Sequence, residues 1–115
     1  MGRKRIGLHP AAREALRVLG QQVRLARHEK GWTAAQLAAA AGVSPTTLSG
    51  IENGSAPISV GNVLNVAAIA GVPLFGLHDA GGLAGVRQAL TDRLALLPSR
   101  VDHPRAKESD DGLDF

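Results

Sequence analysis

Residues 32–54, WTAAQLAAAAGVSPTTLSGIENG, constrain the fold most, because they predict two short helices joined by a tight turn. Thr33 suits the N-cap of the first helix, and Gly42 ends that helix where a left-handed residue is needed. Ser44 caps the second helix, and Pro45 occupies its first position, where the missing N–H costs nothing. Both helices therefore begin and end within this one stretch.

The spacing of small and apolar residues predicts that the two helices cross closely. Ala38 lies four residues before Gly42, and Leu48 and Ile51 lie six and nine residues after it. A small residue at Ala38 lets the backbones approach across a turn of roughly three to four residues. The alternative is an ordinary helical hairpin.

This pattern continues into IENG at residues 51–54 and resembles the helix-turn-helix of the lambda-repressor and Cro family, also called Xre-like. The resemblance covers about residues 19–77, including the Gly-Val-Pro-Leu turn that begins at Gly71. It implies an all-α fold: a five-helix, lambda-repressor-like DNA-binding domain with a disordered C-terminal tail.

The chain is predicted to contain one folded domain with extensions, as its 115 residues allow. Residues 1–9 form a basic N-terminal arm, and residues 10–78 form the helix-turn-helix DNA-binding domain. Residues 79–97 form an additional C-terminal helix. Residues 98–115 form a flexible acidic tail, because their polar, mixed-charge composition is typical of disorder.

Three further helices are predicted around the motif from apolar residues that recur every three or four positions. The first occupies about residues 10–30, and Gly20 either breaks it or lets another backbone approach closely. The second follows a cap at Ser59 and ends at Ala70. The last occupies residues 83–97.

Apolar residues outside the motif have two predicted uses. Leu74, Phe75 and Leu77 are expected to fold back as a lid on the small core. The last helix carries an apolar stripe that either packs on the domain or pairs with its copy to form a homodimer. The members of this stripe are Leu83, Val86, Leu90, Leu94 and Leu97.

Composition argues against several classes of protein. Cysteine is absent and the four histidines lack ligand spacing, so no metal site is expected. No phosphate loop, cysteine nucleophile or paired-carboxylate site is present in the sequence, so we expect neither an enzyme nor a cofactor. No apolar run reaches the roughly 18 residues of a membrane span, and no signal-peptide core follows the basic start. We therefore expect a cytoplasmic protein without membrane contact.

Charge is unevenly distributed along the chain. Residues 1–54 carry eight Lys and Arg against three Asp and Glu, whereas residues 55–115 carry five against seven. The N-terminal half is therefore the predicted nucleic-acid side. No Lys or Arg occurs between Lys30 and Arg87. Affinity for phosphate must then come from the first helix, the basic arm and backbone amides, or binding is weak.

The resemblance implies that the helix after Ser44 enters the major groove of double-stranded DNA with its N-terminal residues facing the bases. The chain departs from the family at Ala34, Pro45 and Gly50, where members often carry glutamine or arginine. None of these three residues can make a bidentate base contact. The candidate DNA-binding residues are Thr33, Gln36, Ser44, Pro45, Thr46, Thr47, Ser49, Gly50 and Asn53 in the motif, Arg24 in the first helix, and Arg3, Lys4 and Arg5 in the arm.

The same resemblance gives Arg27 and Glu52 a structural role. In this family an arginine at the place of Arg27 pairs with the glutamate of the ENG ending, here Glu52. A bidentate pair between two helices would fix their crossing.

The acidic end of the chain, DDGLDF, has two interpretations. It is either a solubilising tail or a docking segment in which Leu113 and Phe115 enter a partner's groove while the aspartates meet a basic rim. Small Xre-like proteins with an extra helix and such a tail resemble the antitoxins of type II toxin–antitoxin systems, especially the HipB-type partners of HipA-like kinases. The leading hypothesis is thus a DNA-binding transcriptional repressor that is an autoregulating antitoxin. The alternatives are a protein-interaction module with little DNA affinity and a stand-alone repressor.

Overall fold

The computed structural model describes residues 7–99, and every regular element in this range is an α-helix. The predicted all-α, five-helix fold is confirmed. The basic arm with Arg3, Lys4 and Arg5, and the tail with Leu113 and Phe115, lie outside the described residues. In chain order the helices are α1 (Pro10–Glu29), α2 (Ala34–Ala41), α3 (Pro45–Glu52), α4 (Val60–Ala70) and α5 (Ala80–Ala95).

The chain divides after Ala80 into two units, of which the first contains α1 to α4. In this unit α1 packs on α3 and α4, and α2 packs on the same two helices. The core between them is aliphatic and rich in alanine, which permits close helix packing. Its buried residues are Val23, Leu37, Ala38, Ala41, Leu48, Ile51, Val66, Ala67, Ala70 and Val72.

The helix ends follow from local chemistry. The hydroxyls of Thr33, Ser44 and Ser59 accept the N–H of the residue three positions on, which caps α2, α3 and α4. Gly42 and Gly71 end α2 and α4 in the left-handed region, with φ of 69° and 96°. The predicted caps and stops are confirmed.

Gly20 marks the crossing of α1 and α3. Helix α1 is continuous through this residue. A Cβ atom there would lie 2.5 Å from the carbonyl oxygen of Ile51 and 2.7 Å from that of Glu52. Of the two predicted alternatives, the close approach of another backbone is therefore correct.

The predicted lid is only partly correct. Leu74 packs on the core, and it exchanges two backbone hydrogen bonds with Leu77 at 2.8 and 2.9 Å. Between them, Phe75 and Gly76 have φ of 51° and 76°, as a tight two-residue hairpin turn requires. The prediction that Phe75 folds onto the core is wrong, because Phe75 is 85% exposed in this turn.

Helix α5 begins three residues before its predicted start and ends two residues before its predicted end. None of its residues is buried, and its first turn includes Gly81 and Gly82. In the predicted stripe, Val86, Leu90 and Leu94 are all exposed. No helix among residues 7–99 is long and apolar enough to cross a membrane.

Candidate nucleic-acid interface

The start of α2 is held by a reciprocal capping box. The Thr33 hydroxyl accepts the N–H of Gln36 at 3.1 Å, and the Gln36 Oε1 accepts the N–H of Thr33 at 2.8 Å. Because Oε1 is occupied, the side-chain NH2 of Gln36 and the hydroxyl proton of Thr33 remain for an external acceptor. The sequence already held this signal, since Gln36 follows Thr33 by three residues. The prediction gave Thr33 the N-cap as well as a DNA contact, but it assigned Gln36 only to DNA.

The start of α3 carries three hydroxyl groups that differ in the hydrogen bonds they can still make. Ser44 Oγ accepts the N–H of Thr47 and donates to Thr47 Oγ1, both at 3.0 Å, so its proton is already used. Thr47 is half-buried and has its own hydroxyl proton left to donate. Thr46 is exposed, and its hydroxyl has no hydrogen-bond partner within residues 7–99. Its backbone N–H is also left uncapped, because only the Thr47 N–H meets the cap.

Burial defines which face of α3 is available. Leu48, Ile51 and Glu52 are buried against the other helices. At 100° per residue, the centre of the opposite face lies close to Thr46, and Ser49 and Asn53 follow it at i+3 and i+7. These three exposed residues form one stripe, and the exposed ring of Pro45 lies at its N-terminal end.

Gly50 lies beside the Thr46 stripe and faces the loop that follows α3. A Cβ atom at Gly50 would meet Ile58 Cδ1 at 2.7 Å, so the position approaches protein on that side. Ile58 is half-buried and packs against the core. Because glycine has no side chain, the candidate contact at Gly50 can involve only backbone atoms.

Arg24 links α1 to the C-terminal end of α3. Its Nε atom donates to Glu52 Oε1 at 3.3 Å, and its Nη2 atom donates to Asn53 Oδ1 at 3.5 Å. Asn53 in turn donates to Ser49 Oγ at 3.4 Å. The Arg24 side chain remains 51% exposed, so its guanidinium can contact a further anion.

Arg27 and Glu52 form a bidentate ion pair between α1 and α3. Arg27 donates from Nε to Glu52 Oε2 at 2.8 Å and from Nη2 to Oε1 at 3.1 Å. A third bond from Nη1 reaches the carbonyl oxygen of Trp32 at 3.1 Å. The two side chains are only 11% and 4% exposed. This pair holds α3 on α1 and is not part of the exposed surface.

The pKa values of the pair move apart. Burial opposes ionisation of Glu52, but hydrogen bonds and charge attraction from Arg27, assisted by Arg24, outweigh it and lower the pKa of the carboxyl group. The hydrogen bond from Arg27 to Glu52 raises the pKa of the guanidinium above its ordinary value. Both groups are therefore charged at neutral pH.

A groove of about 230 Å³ lies beside this pair, where α1 meets the end of α3. Arg17 and Arg24 give it positive charge, and Gln21 and Asn53 give it amide groups. Such a lining suits an anion such as a phosphate group. The sequence prediction missed Gln21, although its position between Arg17 and Arg24 on α1 offered the signal. The lining residues are Arg17, Gln21, Arg24, Glu52 and Asn53.

Among the described residues, no group of three or more His, Asp or Glu side chains could hold a metal ion. The available chemistry of the surface is that of hydroxyls, amides, arginines and free helix N–H groups. These are the groups that proteins use most to contact nucleic acid.

Comparison with known proteins agrees with this architecture. No curated protein matches the chain significantly. A family model described as a helix-turn-helix domain matches residues 18–74, which include most of α1 and all of α2, α3 and α4. Residues 18–74 of this chain are therefore similar to that helix-turn-helix family.

Proposed function

We propose that this chain is a double-stranded DNA-binding transcriptional repressor that inserts α3 into the major groove. The observation that supports this function best is the exposed polar stripe of α3 within a matched helix-turn-helix domain. In this class of motif the second helix enters the groove with its N-terminal residues at the bases, while the first crosses the backbone. A homodimer would present two such helices to a two-fold operator.

The groove at Arg17 and Arg24 supports separate roles for α1 and α3 in the proposed complex. The motif helices contain no Lys or Arg, so α3 contributes contacts but no positive charge. The arginines of α1 would neutralise phosphates next to the C-terminal end of α3. In this proposal Arg3, Lys4 and Arg5 add phosphate contacts from the arm.

Two variants that each introduce one negative charge test the assignment of α3. Thr46→Glu places a carboxylate in the first turn of α3, where the helix dipole tolerates it and the phosphates repel it. Asn62→Glu places the same charge at an exposed position in the first turn of α4. We expect the Thr46 variant to lose about tenfold or more in affinity for duplex DNA, measured by fluorescence anisotropy at low salt. Asn62→Glu should stay near wild type, and equal losses in both variants would contradict the assignment.

A second candidate function is a protein-interaction module that has kept the fold and lost most DNA affinity. The absence of Lys and Arg from residues 31–86 favours it. A salt titration with the full-length chain distinguishes the two functions. DNA binding through Z phosphates gives a slope of log K against log salt of about −0.9Z, whereas an interaction module gives no measurable binding.

The narrower role of antitoxin is also part of the proposal. It is supported by the sequence resemblance to HipB-type proteins and by Leu113 and Phe115 in the acidic tail. In that role the helix-turn-helix domain would hold the operator, and the tail would hold a toxin such as a HipA-like kinase.

A further inference from the structure

The exposed stripe of α3 has an unusual chemistry for a DNA-reading helix. Its exposed side chains are Thr46, Ser49 and Asn53, and Pro45 lies at its N-terminal end. Guanine and adenine are most strongly selected by bidentate contacts from arginine, lysine, glutamine or asparagine. Asn53 is the one amide in the stripe, and its Oδ1 and Nδ2 atoms already bond to Arg24 and Ser49. The stripe is therefore built for single hydrogen bonds and methyl contacts.

Thr46 is the best-placed residue of this stripe. It lies near the centre of the exposed face, in the N-terminal turn that faces bases when a helix-turn-helix binds. Its hydroxyl is without a partner in the described part of the chain, so both the hydroxyl and the γ-methyl group are available.

Gly50 increases the access to Thr46. Side chains of a helix lean towards its N-terminus, so the residue at i+4 normally covers part of the surface at i. For Thr46 that residue is Gly50, which has no side chain. Gly50 therefore adds no side chain of its own over Thr46, although Ile58 Cδ1 lies 2.7 Å from where a Cβ atom at Gly50 would be.

We propose that Thr46 determines specificity by packing its γ-methyl group on the C5-methyl group of a thymine. This inference rests on the proposed DNA-binding function and names the base at that site. Only thymine presents a methyl group in the major groove, and the threonine methyl is one of its recognised apolar contacts. The Thr46 hydroxyl can bond to acceptors on several bases, so the methyl contact carries the selectivity.

The test begins with a duplex selected by the full-length chain from random-sequence DNA. Each thymine of that duplex is then replaced by deoxyuridine, which removes the C5-methyl group and keeps every hydrogen-bonding atom. Loss of one buried methyl group should weaken binding roughly fourfold at the thymine that contacts Thr46. Thymines elsewhere should show no change, and equal affinity at every position would overturn the proposal.

Two matched variants assign the effect to the threonine methyl. Thr46→Ser keeps the hydroxyl and removes the methyl, so it should bind the thymine and deoxyuridine duplexes equally. Thr46→Val keeps a methyl and removes the hydroxyl, so it should retain the roughly fourfold difference. The opposite pattern, with discrimination kept by Thr46→Ser and lost by Thr46→Val, would overturn the proposal and assign specificity to the hydroxyl.

Different results would contradict the thymine contact and the DNA-binding function on which it rests. If the full-length chain enriches no duplex and binds none at low salt, the repressor function fails and this inference fails with it. If the chain binds a selected duplex tightly but ignores the deoxyuridine substitutions, only the thymine contact fails.

Discussion

At the residue scale, Glu52 is the one buried charged residue within residues 7–99. Its carboxylate accepts from two arginines of α1 while its side chain is almost fully buried. A buried pair gains little net stability over a well-packed apolar pair, because desolvation offsets the attraction. Removing one partner is different, since Arg27 would then be a buried charge without an acceptor.

We expect Glu52→Gln to lower the free energy of unfolding by about 3–5 kcal/mol at pH 7. Glu14→Gln is the matched control, because Glu14 pairs with Arg17 at 3.1 Å but both side chains are more than half exposed. That exposed pair should contribute about 1 kcal/mol or less. Urea unfolding followed by circular dichroism measures both, and a similar small effect in the two variants would show that burial of the Glu52 pair adds nothing.

The same residue predicts a pH dependence. The folded-state pKa of Glu52 is lowered, so the unfolded chain binds its proton more readily than the folded chain does. The stabilisation is therefore present above the unfolded pKa of about 4.3 and is lost as the pH falls through the lower folded value. The difference in stability between wild type and Glu52→Gln should shrink steadily as the pH falls below about 4.3 towards the lower folded-state pKa. A difference that stays constant over this range would contradict the charged pair.

At the element scale, the crossing of α1 and α3 depends on the absence of a side chain at Gly20. Gly20 lies against the carbonyl oxygens of Ile51 and Glu52, which belong to the backbone of α3 and cannot turn aside. The crossing also brings Arg24 and Arg27 to the end of α3. Geometry at Gly20 therefore supports both the ion pair and the groove beside it.

Gly20→Ala should destabilise the domain by about 1–3 kcal/mol, because overpacking outweighs the gain in helix propensity. Gly61→Ala is the control in the same unit, since no atom lies within 4 Å of the Cβ position in α4. Its change should be neutral or stabilising by up to about 1 kcal/mol. Thermal unfolding of the two variants compares them, and a stabilised Gly20 variant would show that α1 and α3 can separate without cost.

The helices were predictable from sequence because their ends depend on local chemistry. The caps at Thr33 and Ser44 and the stop at Gly42 need only neighbouring backbone atoms. Phe75 was mispredicted because an apolar side chain suggests burial, whereas the turn geometry of residues 74–77 forces it outward. Hydrophobicity alone does not reveal which residues occupy a left-handed turn.

The candidate site was less predictable, because it depends on contacts between distant residues. Arg24 could be placed on the polar side of α1, but its bonds to Glu52 and Asn53 span 28 and 29 residues. The hydroxyl at Thr46 looked equivalent to that at Thr47 in the sequence. Only the three-dimensional arrangement shows that Thr47 is half-buried beside Ser44 while Thr46 is exposed.

At the scale of the whole molecule, the absence of Lys and Arg from the motif makes a second DNA-binding copy valuable. One helix-turn-helix with few charges gains limited affinity, whereas a dimer binds two half-sites about 34–36 Å apart in one event. We propose helix α5 as the surface for such pairing. Val86, Leu90, Leu94 and Leu97 are between 44% and 65% exposed and recur at helical spacing. Exposed apolar stripes of this kind are typical of interaction sites.

We predict that Leu90→Glu, in the middle of this stripe, converts a homodimer into a monomer, because it places a charge in an apolar contact. Ala84→Glu is the matched control, since Ala84 is exposed on α5 and lies about 120° around the helix from Leu90. Sedimentation equilibrium should give twice the chain mass for wild type and Ala84→Glu, and the chain mass for Leu90→Glu. The monomer should also bind a selected operator more weakly and protect one half-site instead of two. A dimeric Leu90→Glu variant would move the contact to another surface, and a monomeric wild type would remove dimerisation from the proposed mechanism.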